Sequence, residues 1–246
     1  LMRHWTLLGE APIPGTGQSL RLHRGKDDFF ISISSGGGEL MSTRKHGSED
    51  ALGALPCRKL RNRDSARVLI GGLGMGFTLA AALKVVGPDA EATVAELIPE
   101  VVEWNRGPLG DRSGRPLDDP RTRVYVGDVA DLLRGGEYRY DVIALDVDNG
   151  PEGLTSEGND WLYSMAGIAA ARGALRARGR LAPREYEVTG RERAEPGQQA
   201  RQQLSSVEHG GGTRPPQGDR VRRHRAGRPR GDWPRPPARN SCAQTA

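Results

Sequence analysis

The stretch Val68-Leu69-Ile70-Gly71-Gly72-Leu73-Gly74-Met75-Gly76 decides the fold, because an apolar run typical of a buried β-strand leads directly into a glycine-rich turn. Glycine lets the backbone turn tightly and lie close to a ligand, and the next helix presents unpaired N–H groups at its first turn. The spacing is G-x-G-x-G, and Phe77 stands where a dinucleotide fingerprint has its third glycine. A tight turn without a ligand is the alternative. We predict instead that the loop binds a nucleoside of the S-adenosylmethionine type, rather than NAD, through Gly71, Gly72, Gly74 and Gly76.

Short β-branched runs alternate with helical segments on the carboxyl side of this stretch. The predicted strands after Val68–Ile70 are Ala92–Glu96, Val124–Val126 and Asp141–Val147. Strands joined by helices imply crossover connections and a parallel sheet that is covered on both faces. We therefore expect an α/β fold over residues 63–182, with a Rossmann-like, doubly wound and mostly parallel sheet.

Residues 1–62 show a different pattern, and within them residues 19–34 alternate between apolar and polar as half-buried strands do. Residues Ser19–Ser34 predict a β-hairpin that turns at Gly25-Lys26-Asp27. Gly36-Gly37-Gly38 predicts a second turn, followed by a strand at Glu39–Thr43. We expect a small β-rich region here, ahead of the nucleoside-binding domain.

The last segment, residues 183–246, differs in composition from the rest of the chain. It holds 13 Arg, no Lys and 7 acidic residues, a net charge of +6, so residues 1–182 carry −1 of the chain's +5. A segment with so few apolar side chains cannot offset the entropy of ordering. We expect it to be disordered or the product of a shifted reading frame, and we expect nucleic acid to bind only non-specifically, through its arginines.

Three other properties follow from composition. The two cysteines, Cys57 and Cys242, are too far apart in sequence to form a zinc motif or a disulfide framework. No run approaches the roughly 18 consecutive apolar residues of a membrane-spanning helix, and the first residues do not resemble a signal sequence. We expect a soluble, cytoplasmic protein that holds no metal and binds no membrane.

Glu96 ends the second predicted strand, 20 residues after Gly76. A carboxylate at such an exposed strand tip can accept hydrogen bonds from both hydroxyls of a ribose. We therefore predict that Glu96, with Leu97 beside it, binds the nucleoside. A surface glutamate that favours the start of the next helix is the alternative.

Asp128 ends the third predicted strand, in the pair Gly127-Asp128, just before a short helix. An aspartate there can accept a hydrogen bond from the amino group of an adenine. We predict that Asp128 and the adjacent Val129 contact the base. The alternative is a helix N-cap, a position that favours aspartate in any case.

The fourth predicted strand stops at two acids, in Leu145-Asp146-Val147-Asp148-Asn149-Gly150-Pro151. In open parallel sheets ligands bind outside the carboxyl ends of the strands, so both acids are expected to face the cleft. A carboxylate can bind a cationic sulfonium or ammonium group and can accept a proton from an attacking amine. We predict catalytic roles for Asp146 and Asp148, with turn-forming acids as the alternative.

These segments together resemble the polyamine aminopropyltransferases, that is spermidine synthase and its relatives, within the class I S-adenosylmethionine-dependent methyltransferase-like superfamily. The resemblance covers residues 19–182 and matches in order and spacing. It includes the glycine loop, Ala95-Glu96-Leu97-Ile98-Pro99-Glu100-Val101-Val102-Glu103, Asp119 through Asp128, and Tyr140 through Asp146.

The resemblance implies a transferase of polyamine biosynthesis. Its donor would be decarboxylated S-adenosylmethionine or S-adenosylmethionine, and its acceptor a small amine. Glu96 would hold the ribose, Asp128 the adenine, and Asp146 the aminopropyl end of the donor or the acceptor amine. Methyl transfer to a small molecule and nucleoside binding without catalysis stay open as alternatives, as does a homodimer.

The chain departs from the family pattern at two places. The segment from Asp146 to Pro151 is shorter than the corresponding segment of the family and contains different residues. Where the family has Tyr-His-Glu, this chain has His46-Gly47-Ser48-Glu49. His46 and Glu49 are therefore candidates for the donor site, and a solvent-exposed helix start is the alternative.

A helix is predicted from Trp161 to Ala174. Its apolar residues recur at helical spacing and predict a core-facing stripe of Trp161, Leu162, Met165, Ile168 and Ala169. The preceding pair, Asn159-Asp160, is expected to line the acceptor pocket or to cap this helix.

Overall fold

The computed structural model describes residues 5–136, 139–147 and 161–184. These residues build two β-sheets. The first is antiparallel, with its strands in sequence order. Its strands are β1 (Thr6–Pro12), β2 (Ser19–Arg24), β3 (Phe29–Ile33) and β4 (Gly36–Ser42).

The predicted hairpin is confirmed, because β2 pairs with β3 and Arg24 stands opposite Phe29 across the turn. Two features differ from the prediction. The three consecutive glycines belong to β4, and β1 was not predicted at all. The alternation that marks a strand is broken in β1, where the register shifts between Leu7 and Gly9.

The second sheet has five parallel strands in the order β7-β6-β5-β8-β9. The strands are β5 (Arg67–Gly71), β6 (Glu91–Glu96), β7 (Thr122–Val126), β8 (Tyr140–Leu145) and β9 (Leu175–Pro183). The order reverses beside β5, which confirms the doubly wound, Rossmann-like fold and puts the glycine loop at the point of reversal.

Helices connect these strands and cover the sheet. They are α1 (Gly47–Cys57), α2 (Phe77–Leu83), α3 (Pro99–Arg106), α4 (Gly110–Ser113), α5 (Val129–Arg134) and α6 (Met165–Ala174). Short 3-10 turns lie at Arg58–Leu60 and Pro116–Asp118. None of the helices in the described part of the chain is long and apolar enough to cross a membrane.

The last strand, β9, covers nine residues at one edge of the parallel sheet. It starts at Leu175 directly after α6, and its register against β8 is irregular before Arg180. Regular pairing with β8 then continues to Pro183, and the N–H of Arg184 donates to the carbonyl of Leu145 at 2.9 Å. The strand therefore extends past Ala182, where the predicted domain was expected to end.

The stripe predicted for the helix near residue 165 is correct at Leu162, which is 2% exposed, and at Trp161, which packs against the core, but it does not continue into α6. Met165 is 57% exposed, and the buried residues of α6 are Gly167, Ala171 and Ala174. The helical turn at residues 161–163 ends before Ser164, whose hydroxyl caps α6 by accepting from the N–H of Gly167. Because the helix is interrupted at Ser164, residues before and after it do not follow one continuous helical repeat. Positions spaced by three or four residues across the break therefore do not lie on the same face.

The two sheets share one hydrophobic core, which contains Leu22 and Ile31 of the antiparallel sheet as well as Val68 and Val94 of the parallel sheet. Helix α1, although it precedes residue 62, packs on α2 so closely that a side chain at Gly53 would collide with the carbonyl of Thr78. The expected boundary at residue 62 therefore does not separate two cores.

Several predicted features lie outside the described residues. These are the acid Asp148, the pair Asn159-Asp160, and residues 185–246 of the arginine-rich segment.

Candidate nucleoside site

The glycine loop after β5 adopts a backbone that requires glycine at three positions. Gly72, Gly74 and Gly76 have φ values of 88°, 51° and 83°, in the left-handed region that other residues rarely adopt. At Gly72 any side chain would also collide with the carbonyl of Asp146. The loop therefore keeps its backbone open toward the carboxyl edge of the sheet.

Two of the four predicted glycines have packing roles. A side chain at Gly71 would press against Leu145 and Val129, and Gly76 is the N-cap of α2, where a Cβ would lie 2.9 Å from Asn105 Oδ1. Of these four glycines, Gly72 and Gly74 line the cleft described below.

Glu96 is fixed by backbone groups on both sides of its carboxylate. Oε2 accepts from the N–H of Leu73 at 2.9 Å, and Oε1 accepts from the N–H of Ile98 at 2.9 Å. The residue is only 8% exposed, so the expectation of an exposed strand tip is wrong. Burial raises the pKa of Glu96 above 4.5, although hydrogen bonds from Ile98 and Leu73 oppose that shift. The backbone N–H groups of Gly74 and Leu97 also interact with this carboxylate.

Asp128 is the N-cap of α5, where its Oδ1 accepts from the N–H of Ala130 at 2.8 Å. Asp128 therefore caps the helix, as the alternative prediction stated, and it also lines the cleft. Capping uses one oxygen of the carboxylate, which leaves capacity to accept a hydrogen bond from a base.

Asp146 follows β8, and its hydrogen bonds include contacts with Gly71, Thr78 and Arg184. Its N–H donates to the carbonyl of Gly71 at 2.7 Å, and its Oδ2 accepts from the hydroxyl of Thr78. Its Oδ1 accepts from Nη1 of Arg184 at 3.0 Å. Arg184 belongs to the segment that the sequence assigned to a disordered tail.

One cleft of about 120 Å³ at the carboxyl edge of the parallel sheet brings these groups together. Gly72, Gly74, Glu96, Leu97, Asp128, Val129 and Asp146 all line it. The opposite wall is apolar and comes from the antiparallel sheet through Leu20, Ile31, Leu40 and Met41, together with Ile13 just after β1. The sequence showed that the hairpin has a buried face, but gave no signal that this face would line the cleft.

A smaller cavity of about 20 Å³ adjoins the cleft, and the two share Met41, Gly74 and Asp146. Glu49 of α1 and Arg184 also line it. Nη2 of Arg184 lies 3.2 Å from Oε1 of Glu49, so one guanidinium pairs with two carboxylates.

His46 and Glu49, both candidates from the sequence, have different surroundings. The ring of His46 stacks on Phe77 with centroids 3.9 Å apart, and its Nδ1 lies 2.8 Å from a carboxylate oxygen of Asp50. Glu49 instead faces Arg184 and lines the smaller cavity. The structure thus brings Glu49 into the site beside Asp146 and leaves His46 outside both cavities.

Comparison with known proteins identifies the architecture. A spermidine synthase from Thermotoga maritima superposes with a TM-score of 0.62 at 20% identity, over 82% of this chain and 64% of that chain. A spermidine synthase in complex with the transition state analogue AdoDATO gives 0.61 at 20% identity, over 82% and 63%. A probable spermidine synthase from Corynebacterium glutamicum gives 0.52 at 16% identity, over 72% and 62%. The fold is that of the spermidine synthases.

Sequence comparison gives a shorter match. A polyamine aminopropyltransferase from Korarchaeum cryptofilum is 33% identical over 81 residues, which are 33% of this chain and 25% of that protein. No family model matches the chain. The chain thus matches a quarter of the curated relative and just under two thirds of the first two structures. The predicted spermidine synthase-like resemblance is confirmed in the fold.

Sequence reasoning missed three residues in or beside this candidate site: Thr78, Asn105 and Arg184. Asn105, buried in α3, donates from Nδ2 to the carbonyls of Gly74 at 2.8 Å and Val101 at 2.9 Å. It therefore anchors the glycine loop to α3. No local pattern marks such a residue, because its partner lies 31 positions away.

Within residues 5–136, 139–147 and 161–184, no three His, Cys, Asp or Glu side chains come together in a way that could hold a metal ion.

Proposed function

We propose that this protein binds decarboxylated S-adenosylmethionine and transfers its aminopropyl group to a small amine. The observation that carries the proposal is the single cleft in which the glycine loop, Glu96, Asp128 and Asp146 meet. Asp128, Glu96 and Asp146 lie at the carboxyl ends of β7, β6 and β8, which follow that spatial order in the sheet. This order supports proposed contacts with the base, the ribose and the cationic tail of a nucleoside.

The charge of the cleft favours the decarboxylated donor. Three carboxylates line the larger cavity, those of Glu96, Asp128 and Asp146, and none of the described residues lining it is Lys, Arg or His. A donor that carries a sulfonium and an ammonium group would be attracted, whereas the carboxylate of S-adenosylmethionine would be repelled. A spermidine synthase of similar fold binds the transition state analogue AdoDATO, which agrees with this donor class.

The reaction would be a direct displacement. The acceptor nitrogen forms a bond to the carbon beside the sulfonium, the carbon–sulfur bond breaks, and its electron pair leaves with the thioether. The acceptor also loses one proton, for which Asp146 is the proposed acceptor. Thr78 orients the Asp146 carboxylate, and alignment of the two reactants supplies much of the acceleration.

One observation favours a second candidate function, nucleoside binding without catalysis. Asp146 is paired with Arg184, so its carboxylate must exchange this partner before it can take a proton from an amine. Methyl transfer, the remaining alternative, requires S-adenosylmethionine and is disfavoured by the acidic lining of the cleft.

Thermal unfolding with different nucleosides tests the proposal. We expect methylthioadenosine and decarboxylated S-adenosylmethionine to stabilise the protein by about 2.7 kcal/mol at 100 times their dissociation constants. S-adenosylmethionine should require a higher concentration for the same effect. The absence of stabilisation by all three compounds would overturn nucleoside binding. Stabilisation without product formation from 1,4-diaminobutane would favour the second candidate.

A further inference from the structure

The guanidinium of Arg184 lies between two carboxylates at the edge of the cleft. Nη1 is 3.0 Å from Oδ1 of Asp146, and Nη2 is 3.2 Å from Oε1 of Glu49. The Glu49 and Asp146 side chains are 14% and 8% exposed, whereas that of Arg184 is 29% exposed. The two acids are therefore largely enclosed, and the cation covers them from the more open side.

The backbone delivers Arg184 to this position. Its N–H donates to the carbonyl of Leu145, the residue before Asp146, so pairing of β9 with β8 fixes the start of the side chain. The arginine side chain has several rotatable bonds, so this backbone pairing does not by itself fix the position of the guanidinium.

We propose that Glu49 and Asp146 form a subsite for the cationic end of the acceptor, a primary ammonium or guanidinium group, and that Arg184 occupies this subsite until the acceptor displaces it. The proposal rests on the proposed function for the reaction that the subsite serves. Beyond the proposed function, Glu49 of α1 becomes a second carboxylate that binds the acceptor, and Arg184 becomes a residue that affects which acceptor binds.

Geometry and charge support the proposal. The two nitrogens of Arg184 reach separate carboxylates, which shows that the subsite can satisfy a cation with several N–H donors. A terminal ammonium has three donors and can bridge the same two oxygens. Two carboxylates share this guanidinium, so its removal takes the same cation away from both acids.

Competition by Arg184 predicts a measurable loss of affinity. A cationic ligand can bind only those molecules in which Arg184 has left the two acids. The apparent dissociation constant of the ligand therefore equals the intrinsic dissociation constant divided by the fraction of such molecules. A variant without the guanidinium should bind the acceptor more tightly, which is the reverse of what loss of a ligand-binding residue would give.

The test is titration calorimetry of the full chain with 1,4-diaminobutane. We expect Arg184→Met to bind the diamine at least tenfold more tightly than the wild type. Arg172→Met makes the same chemical change on the exposed side of α6, outside both cavities, and should leave the affinity unchanged. Adding Glu49→Gln to Arg184→Met should reverse most of the gain.

A second variant keeps the test independent of folding defects. Arg184→Lys keeps a cation and one ion pair, and a lysine cannot bridge two acids as a guanidinium does, so we expect about threefold tighter binding. Diamine affinity equal to or weaker than that of the wild type in both variants would overturn the proposal.

A parallel titration with methylthioadenosine separates this proposal from the proposed function. The nucleoside contacts neither Glu49 nor Arg184 in the proposed arrangement, so its affinity should be the same in all variants. Loss of nucleoside binding in every protein, with tighter diamine binding to Arg184→Met, would contradict the donor assignment and support the cation subsite.

Discussion

The N–H of Leu73 donates to Oε2 of Glu96 at 2.9 Å, which joins the glycine loop to the end of the neighbouring strand. The same carboxylate accepts from Ile98 with its other oxygen. Glu96 is thus both the proposed ribose ligand and a structural support of the loop that would hold the nucleoside. A test of its role must separate these two contributions.

Replacing Glu96 by alanine should lower both stability and affinity. The N–H groups of Leu73 and Ile98 would lose their acceptor, at a cost of about 3 kcal/mol of unfolding free energy. Methylthioadenosine should bind at least about 100-fold more weakly to the folded fraction. Denaturant unfolding and calorimetry measure the two effects. Glu103→Ala, at an exposed site on α3, is the control. Unchanged affinity in folded Glu96→Ala would exclude the ribose role.

The raised pKa of Glu96 predicts how stability depends on pH. The Glu96 carboxyl group has a pKa near 4.5 in the unfolded state and a higher pKa in the folded state. The folded protein therefore keeps this proton to a higher pH than the unfolded chain does. The contribution of Glu96 is therefore fully present below pH 4.5 and decreases as pH rises through the folded pKa. Denaturant unfolding from pH 4 to 8 should show the stability of the wild type falling relative to Glu96→Gln. A constant or rising difference would contradict the buried position of this carboxylate.

Asn105 should prove necessary for the shape of the glycine loop. In Asn105→Asp a carboxylate replaces the amide that donates to Gly74 and Val101, and two carbonyls then face an acceptor in a buried site. We expect a loss of about 3 kcal/mol in unfolding free energy and weaker methylthioadenosine binding. The same change at exposed Asn62 is the control. Equal melting temperatures for the two variants would show that the anchor contributes nothing.

Asp141 should affect stability alone. It lies at the opposite end of β8 from Asp146, fully buried, where Oδ2 accepts from the N–H of Arg67 at 2.8 Å. It also pairs with Arg63 at 2.8 Å and Arg176 at 3.0 Å. Both arginine side chains reach solvent, so neither is left as a buried unpaired charge when the carboxylate is removed. We therefore expect Asp141→Ala to lower the free energy of unfolding by about 2 kcal/mol, which is less than the loss for a fully buried ion pair. Nucleoside affinity should not change, and a weaker affinity in calorimetry would contradict this separation.

Asp146→Asn should reduce turnover more than donor binding. The amide cannot take a proton from the acceptor, so kcat with 1,4-diaminobutane and decarboxylated S-adenosylmethionine should fall at least about 100-fold. The dissociation constant of methylthioadenosine should stay within about twofold of the wild type. Asp131→Asn, on the exposed side of α5, is the matched control. Full activity in Asp146→Asn would exclude its role in the reaction.

The sequence by itself determined the parallel sheet, the glycine loop and three carboxylates of the cleft. Hydrophobic periodicity and glycine spacing are local properties, and they locate the ends of strands without knowledge of the rest of the chain. The carboxyl ends of parallel strands meet at one edge, so Glu96, Asp128 and Asp146 could be assigned to one cleft in advance. The same local reasoning failed for α6, where the cap at Ser164 shifts the helical phase.

Only the tertiary structure decided which groups surround Asp146 and how deeply Glu96 is buried. Arg184 lies 135 positions from Glu49 and 38 from Asp146 in the sequence. The register of β9 on β8 positions Arg184, and the packing of α1 on α2 positions Glu49, so the three residues meet. Burial of Glu96 likewise depends on the loop that folds over it. Contacts of this kind arise from register and packing between distant segments, which no local periodicity encodes.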